Sequence, residues 1–420
     1  MKRICCLVER WESGGIESFL YNILTRIDLT QLQVDIVVSS LGKSVFTEPL
    51  QKLGVSFFEL SGSQRKVREN CRRFRLLLEN RRYDVLHLNA FQGLSLSYLQ
   101  IARRAGVPVR IAHSHNTDLR KSLTRPLKLA VHAWAKERYT REATALWACS
   151  RDAASFLFSK SELSQKGFQY IPNGIDTERF RFDPAIRETV RTKLKLSGMF
   201  VIGNVGRLCC QKNQDFLLDV FEELLKRNLD SRLLLVGEGE DKTGLMRKAH
   251  RLGIAEKVLF YGTTDHVERL LWAMDVFTFP SRFEGLGIAA VEAQAAGLPV
   301  LCSKEIPPEA IVTDQAIQLE LSAGPSVWAE RVLELRAVDR ETGAETIAAA
   351  GFDTEAVSER IREKWMGDRD GSRKNLGYCS GLQGGTLSSK MPGQHCGSDL
   401  SKFRDHPNRR RLTGRLRGHL

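Results

Sequence analysis

One short segment predicts a strand, a glycine-rich turn and a helix in immediate succession: Asp275-Val-Phe-Thr-Phe-Pro-Ser-Arg-Phe-Glu-Gly-Leu-Gly-Ile-Ala-Ala-Val-Glu-Ala293. The apolar run ends at Pro280, two glycines permit a tight turn, and a helix is expected from Ile288 to Ala296. The free amide groups at the start of such a helix form an anion-binding site. This succession is the repeating unit of a parallel α/β sheet.

Two carboxylates belong to this segment, and their surroundings favour a ligand site. Glu284 lies on the loop before the helix, and Glu292 lies on the helix itself. One can accept hydrogen bonds from sugar hydroxyls and the other from ribose hydroxyls, with the turn Gly285-Leu286-Gly287 beside the ligand. An isolated pair of glutamates more often belongs to a solvated surface, and only the glycine turn after a buried strand reverses that expectation here.

Strands and helices alternate on both sides of this segment. Apolar, β-branched runs separated by amphipathic stretches predict parallel sheets that are covered on both faces. The strands are expected at 4–8, 34–38, 55–58, 85–88, 107–112, 145–148, 200–205, 232–236, 258–261, 276–279 and 299–302, and the helices include 16–26, 65–79, 121–141, 214–227 and 267–273.

The turn Pro172-Asn173-Gly174 separates two such sets of elements. We therefore expect an α/β protein of two Rossmann-like, doubly wound domains that face a cleft, formed by residues 1–178 and 179–351. A helix is expected at 352–366. Residues 367–420 are basic and poor in aliphatic side chains, and we expect this tail to be disordered. Ligands of doubly wound sheets bind outside the carboxyl ends of the strands.

Composition limits the classes of protein that fit. The 420 residues include 63 Lys or Arg and 50 Asp or Glu, and the resulting net charge of +13 suits an anionic partner such as a nucleotide or a phospholipid. No nucleic-acid recognition module is evident, so no nucleic-acid partner is expected. The first apolar run is short and broken by Glu9, which argues against a signal peptide, and no run is long enough to span a membrane. A cytoplasmic protein with reduced cysteines is expected.

Two cations are predicted at the carboxyl edge of the second sheet. In Gly203-Asn-Val-Gly-Arg-Leu-Cys-Cys-Gln-Lys-Asn213, Arg207 follows a strand and Lys212 opens the next helix. Together they can hold a diphosphate leaving group and stabilise the charge that develops as a glycosidic bond breaks, without a metal ion. A solvated pair of side chains is the equally simple alternative.

The first domain contributes glycines and histidines. Gly14 and Gly15 precede a helix and permit close approach to a phosphate or sugar, although the dinucleotide fingerprint is absent and a packing turn is an equal alternative. The strand near residue 110 delivers His113 and His115 to the cleft, where one of them can contact a sugar hydroxyl or assist proton movement; the other can be structural.

Other features are less specific. A metal site at the histidines would need a third ligand that the sequence does not identify, and the metal-binding pattern Asp-x-Asp is absent from residues 1–366. No cofactor or metal is expected. Glu238, in Val236-Gly-Glu-Gly239, either touches a base or belongs to an ordinary loop.

Five motifs in this order resemble glycosyltransferase family 4, and most closely its bacterial exopolysaccharide and capsule members: Gly14-Gly15, His113-Ser-His-Asn, Pro172-Asn-Gly-Ile-Asp, Gly206-Arg-x4-Lys-Asn and Pro280-Ser-x2-Glu-Gly-x-Gly-x4-Glu-Ala. The resemblance covers residues 1–365. It implies a GT-B fold whose helix at 352–366 crosses back to the first domain, a retaining mechanism and no required metal.

The resemblance also implies roles for individual residues. Arg207 and Lys212 would bind the diphosphate, and Glu284 would bond the donor sugar. The remaining contacts would come from Glu292 to the ribose, Gly15 to the phosphates, His115 to the sugar with His113 as the alternative, and Gly14, Asn173, Glu238, Gly285, Leu286 and Gly287 elsewhere along the substrate.

The acceptor is expected to be a lipid-linked sugar or an oligosaccharide, which makes an anionic membrane surface a candidate partner. Residues 64–82 and 120–141 are basic and carry interleaved apolar side chains, as in helices that lie on anionic lipid; a solvated helix face is the alternative. Two other functions fit the same fold: a sugar-nucleotide epimerase, and a non-catalytic partner that binds nucleotide sugars.

Overall fold

Seven parallel strands in the first part of the chain form one sheet. The computed structural model describes residues 1–12, 14–119, 124–227, 230–335 and 340–367. In this first sheet the strands follow the order β3-β2-β1-β4-β5-β6-β7. Their bounds are β1 (Lys2–Trp11), β2 (Leu32–Leu41), β3 (Ser56–Glu59), β4 (Val85–Ala90), β5 (Val109–Ser114), β6 (Ala145–Ala148) and β7 (Gln169–Tyr170), with helices α1 (Gly15–Leu24), α2 (Thr47–Lys52), α3 (Val67–Arg81), α4 (Ser97–Arg104), α5 (Arg125–Tyr139), α6 (Arg151–Leu157) and α7 (Lys160–Lys166).

Both faces of this sheet are buried. Along β1, Cys5 and Leu7 belong to one apolar cluster, whereas Ile4, Cys6 and Val8 belong to another. Successive side chains of a strand point to opposite faces, so an unbroken apolar run marks a strand covered on both sides. The strand order reverses between β1 and β4, which opens a crevice at the carboxyl edge of the sheet.

A second parallel sheet has the order β10-β9-β8-β11-β12-β13. It begins after two helices, α8 (Thr177–Phe180) and α9 (Pro184–Lys193). Its strands are β8 (Phe200–Val205), β9 (Ser231–Val236), β10 (Val258–Gly262), β11 (Val276–Phe279), β12 (Val300–Ser303) and β13 (Ala316–Leu319), with helices α10 (Gln214–Leu225), α11 (Lys242–Arg251), α12 (Val267–Ala273), α13 (Ile288–Ala295), α14 (Gly324–Glu334), α15 (Gly343–Ile347) and α16 (Thr354–Met366).

Helix α16 returns to the first domain, as expected. Val357, Ile361 and Trp365 are fully buried in the apolar cluster that also contains β1 and α1. The return is fixed by backbone hydrogen bonds to the segment between the sheets: the Ile175 amide donates to the Phe352 carbonyl at 2.8 Å. The predicted fold class, two Rossmann-like domains of the GT-B type with a crossing helix, is confirmed.

Every strand that the apolar runs predict is present, and two short ones, β7 and β13, were not predicted. The change from one sheet to the other falls between Tyr170 and Phe200, a segment that includes the predicted boundary at 178. Helix α5 begins at Arg125, and residues 120–123 and the basic tail 368–420 lie outside the described part of the chain. None of the helices described here is both long and apolar enough to cross a membrane.

Candidate active site

An ion pair joins the loop between β8 and α10 to the turn before α13. Lys212 Nζ is 2.7 Å from Glu284 Oε1, and the two side chains are only 18% and 8% exposed. The ammonium group also lies 4.8 Å from the centre of the Phe279 ring. Gly287 begins the helix with φ = 91°, a left-handed conformation that favours glycine. The glycine turn therefore places a charged, shielded pair at the head of a helix.

The first domain touches this turn directly. Thr117 Oγ1 donates to the Glu284 carbonyl oxygen at 2.8 Å, and Ser150 Oγ donates to the Gly285 carbonyl oxygen at 2.7 Å. A Cβ atom on Gly285 would lie 2.1 Å from the carbonyl oxygen of His115. Glycine is therefore required at 285, because the backbones of the two domains are in contact there. The buried side chains of the turn are held between the first and second domains.

Gln211 also supports the turn, and sequence patterns did not single it out. Its Nε2 donates to the Phe283 carbonyl oxygen at 3.0 Å, and its own carbonyl oxygen accepts from the Arg282 amide at 2.8 Å. Thr117, Ser150 and Gln211 act on backbone carbonyls or amides, which leave no characteristic spacing in a sequence. The available signal is the position of Gln211 inside one family motif and of Thr117 beside another; Ser150 carries no such signal.

Arg207 does not join the Lys212–Glu284 pair. Its Nε lies 3.0 Å from Glu240 Oε2, and both side chains are more than half exposed. Glu238, the candidate base contact, pairs with Lys242 at 2.7 Å. The structure thus separates the two predicted diphosphate ligands into one shielded cation and one exposed cation.

The glycines around Glu238 serve close packing between loops. A Cβ on Gly237 would lie 2.2 Å from the Gly206 carbonyl oxygen, and a Cβ on Gly239 would lie 2.1 Å from the Leu208 carbonyl oxygen. These two glycines allow the loops after β8 and β9 to lie side by side at the edge of the sheet. Between these glycines and Lys212, Cys209 is partly exposed and Cys210 is exposed, in contrast to the buried Cys5 and Cys6.

Glu292 lies on the first turns of α13 and is partly exposed. Desolvation in the surrounding protein raises its pKa to about 7, the charges of Arg179 and Lys212 oppose that shift, and the charge of Glu268 adds to it. Arg179 is itself bound to Glu268, with Nη2 2.8 Å from Oε2. Glu292 therefore has cations nearby without being paired to them, and its carboxyl group is available to a ligand.

The two histidines occupy different environments. His113 is fully buried, and its Nδ1 lies 3.1 Å from His87 Nε2. His115 follows the end of β5, and its Nε2 lies 2.9 Å from Asn89 Oδ1. Of the two, only His115 brings its backbone against the Gly285 turn.

Both imidazoles are kept neutral. Burial lowers the pKa of His115 to about 4, and the neighbouring Asn173 side chain opposes part of that shift. The pKa of His113 lies well below its usual range because of burial and the neighbouring His115 and His87. Asn173 thus contacts one of the predicted site residues from the turn between the domains.

The glycines before α1 differ in what surrounds them. A Cβ on Gly14 would lie 2.7 Å from Glu17 Oε2, whereas a Cβ on Gly15 would meet no atom within 4 Å. Glu17 Oε1 accepts a hydrogen bond from the Glu12 amide at 3.0 Å and so closes the loop from inside. The protein itself does not need a glycine at 15, which leaves open space for a ligand at that point.

Within the described ranges, no group of three or more His, Cys, Asp and Glu side chains is arranged to hold a metal ion. The site's cations are Lys212, Arg207 and Arg179, and its amides are those at the head of α13. An arrangement of this kind can bind an anionic group and leave carboxylates facing hydroxyls.

Comparison with known proteins agrees with this architecture. Residues 13–179 match the model of Glycosyltransferase Family 4, and residues 186–335 match that of Glycosyl transferases group 1. EpsF of Bacillus subtilis (strain 168), named as a glycosyltransferase, is 31% identical over 366 residues, which cover 84% of this chain and 94% of EpsF. The UDP-Gal:alpha-D-GlcNAc-diphosphoundecaprenol alpha-1,3-galactosyltransferase of Escherichia coli is 30% identical over 54% of this chain and 59% of its own length.

Solved structures share the fold. Anabaena HepE in complex with UDP superposes with a TM-score of 0.69 at 20% identity, covering 87% of this chain and all of HepE. The lipopolysaccharide glycosyltransferase WaaG gives a TM-score of 0.64 at 17% identity, with 87% of this chain and all of WaaG covered.

Two facing Rossmann-like domains with a shielded cation and carboxylate at the head of a helix define a glycosyltransferase of the GT-B type, which transfers a sugar from a nucleotide donor. The similarity to EpsF over nearly its whole length and the two domain matches identify the family. The chain belongs to glycosyltransferase family 4, and its second half is a group 1 domain.

Proposed function

We propose that this glycosyltransferase moves a sugar, with retention of anomeric configuration and without a required metal ion, from a nucleotide diphosphate sugar to a lipid-linked or saccharide acceptor in the synthesis of a cell-surface polysaccharide. The observation that carries the proposal is the Lys212–Glu284 pair, held in the turn before α13 and contacted by Thr117 of the first domain. A donor bound there would touch both domains at once.

The charges of the site suit a diphosphate leaving group. Lys212 and Arg207 would contact the diphosphate, and the free amides of α13 would face the same anion. As the bond between the sugar and the diphosphate breaks, negative charge grows on the leaving oxygen, and preorganised cations stabilise it. Protein cations would thereby supply the neutralisation that a metal ion supplies in other transferases.

The carboxylates and His115 would orient the sugar nucleotide. In this proposal Glu284 accepts hydrogen bonds from the donor sugar, and Glu292 accepts them from the ribose. A neutral His115, held at Asn89, would contact a sugar hydroxyl from the first domain. Because every one of these groups binds the donor, transfer and donor binding should weaken together when any of them is replaced.

An acceptor at a membrane surface fits the outside of α5. Leu127, Val131 and Trp134 follow one another at helical spacing and are 68%, 39% and 58% exposed, on a strongly basic domain. The named acceptor of the Escherichia coli relative is a diphosphoundecaprenol-linked sugar. We propose peripheral binding of the chain to the cytoplasmic face of an anionic membrane. Trp134→Ser should lower sedimentation with phosphatidylglycerol vesicles several-fold and leave donor binding unchanged; undiminished sedimentation would contradict this part.

A screen of donors tests the function. UDP-, GDP- and ADP-sugars are incubated with the enzyme and a lipid extract, released nucleotide is measured, and the anomeric configuration of the product is determined by NMR. We expect one nucleotide class to react and the product to retain the donor's configuration, with turnover unchanged by EDTA. Inversion would contradict the retaining mechanism. Epimerised or hydrolysed sugar in place of a new glycoside would favour an epimerase, and binding without any turnover would favour a non-catalytic partner.

A further inference from the structure

A second enclosed carboxylate lies at the carboxyl edge of the first sheet. Glu9 is near the end of β1, one residue beyond Val8, which pairs with Val38 of β2 and Asn89 of β4. This is the point at which the strand order reverses, where the connections leave toward opposite faces and open a crevice. Glu9 is not among the residues proposed above to bind the donor.

A small cavity surrounds Glu9. Its polar lining includes Glu9, Ser39, Gln64, Gln92, Ser95 and Tyr98. No lysine or arginine is among the described residues that line it. One carboxylate, amides and hydroxyls therefore face a space that lacks positive charge.

The walls of this cavity are built and not incidental. The Ser95 hydroxyl donates to Glu9 Oε1. The Tyr98 ring packs edge-on against Phe74 at 5.2 Å, and its hydroxyl is hydrogen-bonded to Ser39. Burial raises the pKa of Glu9, and the hydrogen bonds from Ser95 and Gln92 oppose that shift. Glu9 is therefore a carboxylate whose charged form is disfavoured by burial, and it forms no ion pair with any residue that the structure describes.

We propose that this Glu9 pocket binds the uncharged terminal sugar ring of the acceptor, with Glu9 accepting hydrogen bonds from the ring hydroxyls; the inference rests on the proposed transferase function. Sugar hydroxyls are donors that a carboxylate accepts strongly. A phosphate in the same place would meet like charge, with no cation among the described residues that line the pocket. The phosphates of a lipid-linked acceptor consequently lie outside the pocket, and the sugar enters first.

Ligand-observed saturation-transfer NMR in the presence of UDP tests the pocket directly. The probes are the methyl glycosides of glucose, galactose, mannose and N-acetylglucosamine, with glucose 1-phosphate as the anionic comparison. We expect at least one methyl glycoside to receive saturation from the wild-type protein, and glucose 1-phosphate to receive less. Glu9→Gln should lower the glycoside signal at least fivefold, because an amide accepts hydrogen bonds more weakly and adds donors where the sugar presents its own.

Two further variants make the outcome specific. Glu79→Gln removes an exposed carboxylate of α3 and should behave as wild type. Tyr98→Phe removes one hydroxyl from the pocket, keeps the ring against Phe74 and should lower the signal less than Glu9→Gln does. Glu9→Gln keeps the shape of the side chain and relieves a buried charge, so the variant should fold, which thermal melting checks.

The results separate this inference from the function itself. UDP in the same sample reports on the donor site and should receive saturation in every variant. A wild-type protein that binds no glycoside, a Glu9→Gln protein that binds glycosides as well as wild type, or a preference for glucose 1-phosphate would each overturn the pocket assignment while UDP binding stands. Loss of UDP binding from the wild-type protein would instead contradict the proposed donor site.

Discussion

The two sheets present different chemistry at their carboxyl edges. The second sheet carries ion pairs: Lys212 with Glu284, shielded by both domains, and Arg207 with Glu240, exposed. At the first sheet, the histidine that lies beside the Gly285 turn is neutral: His115 lies against Asn89 and has a pKa of about 4. The two domains share one architecture, but the residues proposed to bind the donor are charged at the second sheet and neutral at the first.

That division follows from what each edge has to bind. A diphosphate gains charge as it leaves, so cations and helix amides are useful beside it. Sugar hydroxyls carry no charge, so a neutral imidazole at the first edge is sufficient to contact the donor sugar. The contrast predicts that changes of charge at the second edge reduce turnover far more than changes of similar size at the first.

The largest effect is expected from Glu284→Gln. The substitution removes a carboxylate that is 8% exposed, leaves Lys212 without its charged partner and keeps the side-chain volume. We expect kcat to fall by about 100- to 1000-fold, the range seen when one preorganised electrostatic contact is lost. Initial rates of nucleotide release measure it, with Glu240→Gln as the exposed control on the same edge. Turnover close to wild type in Glu284→Gln would refute the donor-site assignment.

The two cations of the second edge should differ. Lys212→Met removes the shielded charge and should lower kcat/KM by about 100-fold, whereas Arg207→Met removes an exposed charge and should cost about 10-fold or less, because solvent already screens it. Donor titrations at low and high salt distinguish the two, since only the contribution of Arg207 should fall markedly with added salt. Equal losses in both variants would show that Arg207 leaves Glu240 and closes on the diphosphate.

The fold was predictable to a large extent because its signal is local. Most buried strands are visible in the sequence as apolar runs. The Gly-Leu-Gly turn and the helix after it are predicted from the residues of one segment. The two strands that the sequence did not predict, β7 and β13, are two and four residues long and are only partly apolar. Helix ends shifted by a few residues where no cap marks them.

The sequence proposes the residues of the candidate site but does not predict the contacts between them. The pairing of Lys212 with Glu284 joins motifs 72 residues apart, and the sequence assigned them separately to phosphate and sugar. Thr117, Ser150 and Gln211 act through backbone atoms and carry no pattern. Glu9 interrupted an apolar run and so served only to argue against a signal peptide, although the structure encloses it in a pocket.

The neutral edge can be tested through its two histidines. His115→Ala should lower kcat by about 10-fold with a smaller loss of stability than His113→Ala, because His115 is only partly buried whereas His113 is fully buried. His113→Ala should mainly lower stability, by about 2 kcal/mol or more, since it opens a cavity and leaves buried His87 without its partner. Steady-state rates and urea unfolding measure the two effects. If His113→Ala lowered the rate more than His115→Ala and left stability unchanged, His113 would be the histidine that contacts the sugar and His115 the structural one.

The smallest effect concerns Glu292, where the two kinds of chemistry meet: a carboxylate on the charged edge that is held partly neutral. Its pKa is about 7 in the folded protein against an ordinary value of 4.5, so the folded state binds a proton more tightly than the unfolded state does. The wild-type protein accordingly loses stability at this group as the pH rises from about 4.5 to about 7. Glu292→Gln does not titrate, so its free energy of unfolding should exceed that of wild type by an amount that grows through this window and levels off above it.

We expect a difference of about 1–3 kcal/mol between pH 5 and pH 8, from about 1.4 kcal/mol for each pKa unit and a partly exposed side chain. Urea unfolding at both pH values measures it, with Glu79→Gln tracking the wild type. A difference that stays flat with pH would mean that Arg179 and Lys212 already hold Glu292 ionised, and the edge would then be uniformly charged.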